Sequence, residues 1–539
     1  MDNPVEKLRH LILRPGLLAL LLGAVAACGF QPLALWWLTI LALAALIPLA
    51  ANAKGPRGAF LIGWLFGVGH FTIGNFWIAT AFTYQAEMPH WLGGIAVVLL
   101  SLYLAIYPAL ATLGAWALIR ARSGYARSWF GLAFAGMWIV TEWMRAGVFT
   151  GFAWNPLGIV LLGGYERQGL AVIAKWIGTY ALSGVVVAIA ALLEGAWRKQ
   201  SMQQGRDKLK PIIAMVVVAL PTALAMHLPA SHLDRIEGAR AFTLVQPDLR
   251  QPVLDDPALY EANYQKLAAL TLPEKPNSRR IVFWPESGLA DYLRDGYEPR
   301  HYSRMTYAAD PVVARERIGR AIGPYSLLLT GAVDLVIEDR RAVAARNSVT
   351  ALDYKGRILA GYSKAHLVPY GEYLPMRAIL EPLGLSRLVP GSLDFRAGPG
   401  PRTLDFGDWG KAGVQICYEI VFSGEVVDPL VRPEYIFNPS NDGWFGAWGP
   451  PQHLAQARLR AIEEGLPVLR STTTGISAVI DADGIVRQHV PHHQAGRIDG
   501  MIPPPAEPTL FARGGNLIPL LIAALLLLTC TVAIVRTKS

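Results

Sequence analysis

The chain has 539 residues, of which 53% are hydrophobic and only 17% charged, and it carries a formal net charge of +9. So apolar a composition excludes an ordinary soluble enzyme and requires that part of the chain lie in a membrane. The basic excess does not point to nucleic acid, because much of it falls in short loops between apolar runs.

In chain order, runs long enough to cross about 30 Å of hydrocarbon as helix occur at 15–30, 33–50, 58–82, 91–119, 129–148, 170–197, 211–228 and 517–535. The expectation is about eight transmembrane helices, seven in a bundle over 1–230 and a final one within 516–536. The first is read as an uncleaved anchor, since Gly29-Phe30-Gln31-Pro32 leads almost directly into the next apolar run. Lys7, Arg9 and Arg14 precede the first run, and Lys54 and Arg57 follow the second. Arg120, Arg122 and Arg127 follow the fourth, and Arg198, Lys199, Arg206, Lys208 and Lys210 follow the sixth. These ends are expected in the cytoplasm. An odd number of crossings then puts the polar segment on the outer face, the periplasm of a bacterium, and Arg536 and Lys538 return to the cytoplasm. Cys28 and Cys530 fall in apolar runs and read as packing residues, so the three cysteines make no disulfide framework. Glu142, Arg145 and Asn155 are polar groups near membrane depth to which the sequence assigns no role.

From 241 to 502 the composition changes to that of one large α/β domain. Buried strands are expected at 241–246, 281–284, 326–333, 412–416 and 435–437, and helices at 257–270 and 453–465. Asp353-Tyr354-Lys355-Gly356 and Asp481-Ala482-Asp483-Gly484 read as hairpin turns. The sum predicts a layered α/β sandwich. The stretch 381–401, rich in Gly, Pro and Leu without periodicity, reads as a lid or membrane-dipping arm, or as a plain surface excursion.

Cys417 is the one cysteine outside the apolar runs, and it closes the strand-like Gly413-Val414-Gln415-Ile416. A thiol attacks carbonyl carbon as thiolate, so Cys417 needs a base or a positive charge beside it. Glu286, after Phe283-Trp284-Pro285, and Lys364, after Gly361-Tyr362-Ser363, are the candidates for base and cation. The backbone N–H of Tyr418 would add a second donor to a developing oxyanion. His70, His90, His366 and the pair His492-His493 lack the spaced partners of a zinc site, so no metal is expected. No phosphate-cradling glycine loop opens a helix in this segment, and no cofactor is expected.

Taken together, Trp284-Pro285-Glu286, Tyr362-Ser363-Lys364-Ala365-His366-Leu367-Val368-Pro369-Tyr370-Gly371-Glu372-Tyr373 and Cys417-Tyr418-Glu419 resemble the nitrilase superfamily. Within it they are most similar to the bacterial apolipoprotein N-acyltransferase family. Asn441-Asp442-Gly443-Trp444-Phe445-Gly446, Gln452-His453-Leu454 and Ala457-Arg458-Leu459-Arg460 extend the match nearly to the end of the domain. The resemblance implies an αββα sandwich with Cys417 as nucleophile, Glu286 as proton acceptor and Lys364 as oxyanion stabiliser. It also implies supporting roles for Glu372, Tyr418 and Glu419, with Trp444 and Phe445 flanking a lipid pocket. The implied partners are a membrane phospholipid as acyl donor, a diacylated apolipoprotein as acceptor and the bilayer of the bacterial inner membrane. Two departures stand out: Val245-Gln246-Pro247-Asp248 followed by Leu254-Asp255-Asp256, and Ser471-Thr472-Thr473-Thr474-Gly475 where the family commonly carries Asn. The implied reaction is ping-pong N-acylation through a Cys417 thioester. The alternatives are a membrane-tethered amidase or nitrilase using water as acceptor, and a non-catalytic lipoprotein-binding protein.

Overall fold

A computed structural model describes residues 14–84, 89–120, 129–202, 209–227, 238–273, 278–383 and 393–536. Of the loop charges named above, Lys7, Arg9, Arg122, Arg127, Arg206, Lys208 and Lys538 lie outside the described residues, as do positions 384–392 of the Gly/Pro/Leu-rich stretch. The chain divides into two compact units, one formed by Met1–Ala79, His90–Ala230 and Thr509–Ser539, the other by Thr80–Pro89 and Ser231–Pro508.

The first unit is helical. Among the described residues, Trp91–Ile119, Leu170–Gln200, Lys210–His227 and Leu517–Arg536 are long and apolar enough to cross a membrane. Pro56–Gly74 and Phe76–Tyr84 meet the same test as one element bent by 48°. Pro15–Ala27 and Trp36–Ala51 are apolar but shorter. Leu517, Leu521, Leu525 and Leu528 form an exposed stripe along the last helix, the surface that a helix presents to lipid rather than to water. Two of the polar residues noted in this region, Glu142 and Arg145, have a structural task. Arg145 Nη1 donates to the carbonyls of Phe152 at 2.9 Å and Trp154 at 2.8 Å, while Glu142 accepts from the N–H of Leu157 at 2.8 Å. One end of the helix Phe130–Gly147 thereby pins the irregular segment that follows it, satisfying backbone groups that have no helical partner.

The second unit is built on twelve described strands: β1 Ala241–Gln246, β2 Ile281–Phe283, β3 Leu327–Glu338, β4 Arg341–Asp353, β5 Ile358–Ser363, β6 Thr403–Asp405, β7 Lys411–Val414, β8 Tyr435–Ser440, β9 Val468–Thr472, β10 Ser477–Ile480, β11 Val486–Val490 and β12 Gly496–Met501. They form two six-stranded sheets, in the order β12-β1-β2-β3-β4-β5 and β11-β10-β9-β8-β7-β6. The period of two decides which residue faces which layer. On β2, Ile281 and Phe283 enter the core between the sheets, and Val282 and the following Trp284 enter a second core under the helices Tyr260–Thr271 and Pro311–Ile322. The inter-sheet core is continued by Leu244, Leu329 and Val349 on one side and by Val414, Tyr435, Phe437 and Leu469 on the other. Phe283 and Phe437 meet across it with ring centroids 4.9 Å apart.

The expected hairpin turns join β4 to β5 and β10 to β11. A third hairpin, β3 to β4, turns through Asp339 and Arg340, both at positive φ. Asp-Arg is not a sequence that announces such a turn, because only glycine and Asn or Asp take left-handed angles readily. Phe437→Ala is expected to destabilise this unit by about 3–5 kcal/mol through loss of buried area and an unfilled cavity. The measurement is the unfolding transition of the purified protein in detergent against wild type.

Candidate active site

Glu286, Lys364 and Cys417 all stand where a strand stops. Pro285 ends β2 after the Trp284 N–H has bonded the Leu329 carbonyl at 3.0 Å, which leaves Glu286 turning across the sheet end. Only a glycine lets β3 pass there, since a Cβ on Gly331 would lie 2.7 Å from Glu286 Cα. Lys364 follows β5, its own N–H held by the Asn347 carbonyl at 2.8 Å. Cys417 follows β7 with a left-handed φ of +52°, so its side chain leaves the strand direction at a sharp, strained corner. All three side chains are buried.

Lys364 Nζ is 3.0 Å from Glu372 Oε1 and 3.8 Å from Glu286 Oε1. Asn347 bridges the same two carboxylates, its Nδ2 donating to Glu286 at 2.6 Å and to Glu372 at 2.8 Å. Glu286 also accepts from the Asn441 N–H at 2.8 Å. Glu372 accepts from the Val368 N–H at 2.8 Å. Burial, aided by the neighbouring Glu372 charge and opposed by Lys364, pushes the Glu286 carboxyl above its ordinary range. Burial works against the Lys364 charge, but Glu372 and Glu286 outweigh it and hold the ammonium above its usual range. For Cys417, burial and then the Glu286 charge push the thiol well above its usual range, with Lys364 pulling the other way. At rest Cys417 is therefore held as a thiol, rather than the lowered-pKa thiolate that a lone reactive cysteine leads one to expect.

Glu419 has a different setting. Its Oε1 accepts from the Tyr362 hydroxyl at 2.7 Å, the Ala365 N–H at 2.7 Å and the His366 N–H at 3.2 Å, and its Oε2 from the Ile416 N–H at 2.7 Å. It ties the residue before Cys417 to the two residues after Lys364, and burial raises its carboxyl to about 7 against those donors. Tyr418 lies buried with its ring 5.1 Å from that of Phe422. Trp444 meets Tyr84 edge-on at 5.6 Å, while Phe445 packs against the inter-sheet core and 5.7 Å from the His453 ring.

Several site residues escaped the sequence. Asn347 is one polar residue in the alternating strand β4, and nothing local marks it as facing two carboxylates. The two departures from the family pattern enter the same network: Thr473 Oγ1 donates to Asn441 Oδ1 at 2.7 Å, and Asn441 Nδ2 donates to Gln251, which holds Asp255. The described end of the Gly/Pro/Leu-rich stretch is fastened here too, with the Phe395 N–H on the Glu372 carbonyl at 3.1 Å and the Gly398 N–H on the Lys364 carbonyl at 2.7 Å.

Cys417, Asp442 and His453 bring ligand-type atoms within 4.8 Å of one another. Those atoms do not fit a metal ion. Asp442 is shared between His453 Nδ1 at 2.9 Å and Arg470 Nη2 at 2.5 Å, and His453 Nε2 faces the Cys417 carbonyl at 3.1 Å. The guanidinium already supplies the positive charge of the cluster.

A family model described as the apolipoprotein N-acyltransferase N-terminal domain matches residues 22–192, and one described as carbon-nitrogen hydrolase matches 249–503. The apolipoprotein N-acyltransferase of Rhodopseudomonas palustris is 32% identical over 95% of this chain and 94% of its own. That of Caulobacter vibrioides is 33% identical over 93% and 91% respectively. Among solved structures, a carbon-nitrogen hydrolase from Helicobacter pylori aligns with 49% of this chain and 89% of its own at 15% identity, with a TM-score of 0.34.

Replacing Lys364 by Met leaves two buried carboxylates without their cation. Lys364→Met is expected to cost about 3–5 kcal/mol of stability near neutral pH. With the ammonium gone, the Glu286 carboxyl loses the charge that opposes its rise and titrates still higher in the folded state, so its protonation relieves the loss. The deficit should be full at high pH and shrink as pH falls through the raised range of Glu286, which thermal unfolding of the variant and wild type across pH 5 to 9 measures.

Proposed function

The chain belongs to the apolipoprotein N-acyltransferase family and is an acyltransferase, and we propose that it carries an acyl chain from a membrane phospholipid to a lipoprotein through Cys417. The observation that carries the reading is the buried set in which one ammonium stands beside two carboxylates, with the charges of Lys364 and Glu286 both acting on the buried Cys417 thiol.

In the first half-reaction the Cys417 thiol gives its proton to Glu286 and the sulfur attacks the phospholipid ester carbonyl. Negative charge collects on the former carbonyl oxygen, where Lys364 Nζ and the Tyr418 N–H stabilise it. Collapse breaks the carbon–oxygen bond, and the lysophospholipid leaves with the proton held by Glu286. In the second half-reaction the neutral α-amino group of an N-terminal S-diacylglyceryl-cysteine attacks the thioester and gives a proton to Glu286. The sulfur departs and takes that proton back. Glu372 keeps Lys364 in place without reacting, and Glu419 holds the corner on which Cys417 sits. Trp444 and Phe445 would flank the acyl chain, Phe445 serving the protein core as well.

The same reading places eight crossings in the inner membrane with the catalytic unit on the periplasmic face. The alternation of Lys and Arg between the apolar runs supports that orientation. A count of eight needs Pro15–Ala27 and Trp36–Ala51 to span with their flanks, and also needs Phe130–Gly147, which is not among the described helices long and apolar enough to cross.

Purified protein incubated with phospholipid alone is expected to acquire a hydroxylamine-labile acyl adduct on Cys417 that a diacylated lipopeptide removes. Intact protein without an adduct would contradict the covalent reading, and an adduct cleared by water as fast as by lipopeptide would make the protein a hydrolase. Because Glu286 must lose its proton to act, the rate of adduct formation should fall as pH drops. Since burial raises that carboxyl, the acid limb should lie above the ordinary carboxylate value of about 4.3. A profile flat down to pH 4.5 would remove Glu286 from the role of base.

A further inference from the structure

Behind Cys417 lies a group of fully buried polar residues that the reaction scheme leaves unused: Asp442, His453 and Arg470. Arg470 Nη2 donates to Asp442 Oδ2 at 2.5 Å and lies 3.0 Å from His453 Nδ1. Its Nη1 donates to the Asn438 side chain and to Ser440 Oγ at 3.0 Å. His453 Nδ1 is 2.9 Å from Asp442 Oδ1, and Nε2 is 3.1 Å from the backbone oxygen of Cys417. Three ionisable groups sealed from water in this way are expensive to bury unless they hold something in place.

What they hold follows from the acceptor. A carbonyl oxygen only accepts, so the ring nitrogen facing it carries a hydrogen. That fixes Nε2–H, whether Nδ1 accepts from Arg470 or donates to Asp442. The peptide that His453 grasps joins Cys417 to Tyr418, and it is trans, since the cis bonds of the described residues are Gln31-Pro32 and Gly475-Ile476. In a trans peptide the C=O and the N–H point in opposite directions. Fixing the Cys417 carbonyl toward His453 therefore turns the Tyr418 N–H the other way, and donation to the oxygen makes that N–H a stronger donor. The corner needs such a restraint, because Cys417 holds a left-handed φ that a residue with a Cβ adopts at a cost.

We infer that His453, held by Asp442 and Arg470, is a positioning residue that aims the Tyr418 N–H at the oxyanion formed during acyl transfer. This inference rests on the Cys417 thioester reading above. His453 touches neither donor nor acceptor. It acts through the peptide it grips, equally in the acylation and the aminolysis halves of the reaction. Its loss leaves the Arg470 and Asp442 charges paired with each other, so the buried charge stays compensated.

The test compares two chemistries at the same sulfur. Acylation by phospholipid passes through an oxyanion, whereas alkylation by iodoacetamide displaces iodide at a saturated carbon and forms none. His453→Leu and His453→Gln are prepared, the glutamine placing an amide N–H near the position of Nε2. In His453→Leu the rate of hydroxylamine-labile adduct formation is expected to fall about 10- to 100-fold, somewhat less than loss of an oxyanion donor itself. Alkylation of Cys417 should stay within about twofold of wild type, since no oxyanion donor takes part in it. His453→Gln should recover most of the acylation rate. Unchanged acylation in His453→Leu would overturn the inference, and so would a parallel fall in acylation and alkylation that glutamine does not repair. If wild-type protein forms no adduct at all, the thioester reading fails first, and the two failures are distinct.

Discussion

The contact on which the catalytic unit depends is a single ammonium among carboxylates in a site nearly closed to water. Lys364 touches Glu372 at 3.0 Å and approaches Glu286 to 3.8 Å, and Asn347 shares its two amide hydrogens between the same pair. One cation for two anions leaves the cluster short of positive charge, so a proton is easily held on the carboxylate next to the thiol. On the proposed reaction, that shortage would suit Glu286 to take the proton of Cys417, which burial holds firmly. Were Glu286 the only carboxylate beside the lysine, the raising effect of the Glu372 charge would be gone and its carboxyl would be held lower.

The rest of the sandwich serves to bring those groups together from distant parts of the chain. β2 ends in Pro285, β5 ends at Lys364, and β7 runs into the left-handed corner at Cys417, so three strand ends meet across two sheets. Packing of Phe283 against Phe437 sets how closely those sheets approach. The backbone of the described 394–398 segment adds a further tie to Glu372 and Lys364. Each functional side chain is thus fixed by its backbone on one side and by a hydrogen-bonding partner on the other, the arrangement that acyl transfer requires of groups that cannot reorganise during the reaction.

How much of this the sequence discloses depends on the range of the cause. Strands such as 241–246 and 281–284 are legible because apolar β-branched residues and flanking Pro or Gly act locally. The helix Gly449–Glu464 ends at Gly465, as the periodicity and the terminal glycine foretell, and Gly465 takes the left-handed angle. Glu286, Lys364 and Cys417 stand out as charged or reactive groups closing apolar strands. Asn347 does not, because its task is set by residues 61 positions before it and 25 after it. Nothing in the sequence marks Arg470 or the strand β9 that carries it, and only the fold shows that it faces Asp442 and His453. Thr473 stands at a departure from the family pattern, yet its hydroxyl supports Asn441 and through it Glu286. The sequence could register that departure but not its geometric consequence.

The most direct test of the account is a structure of the acyl-enzyme trapped on Cys417 before an acceptor is added. The thioester carbonyl oxygen is expected about 3 Å from both Lys364 Nζ and the Tyr418 N–H, with Glu286 within reach of the sulfur. A thioester oxygen turned away from Lys364, or a Lys364 withdrawn from both glutamates, would contradict it.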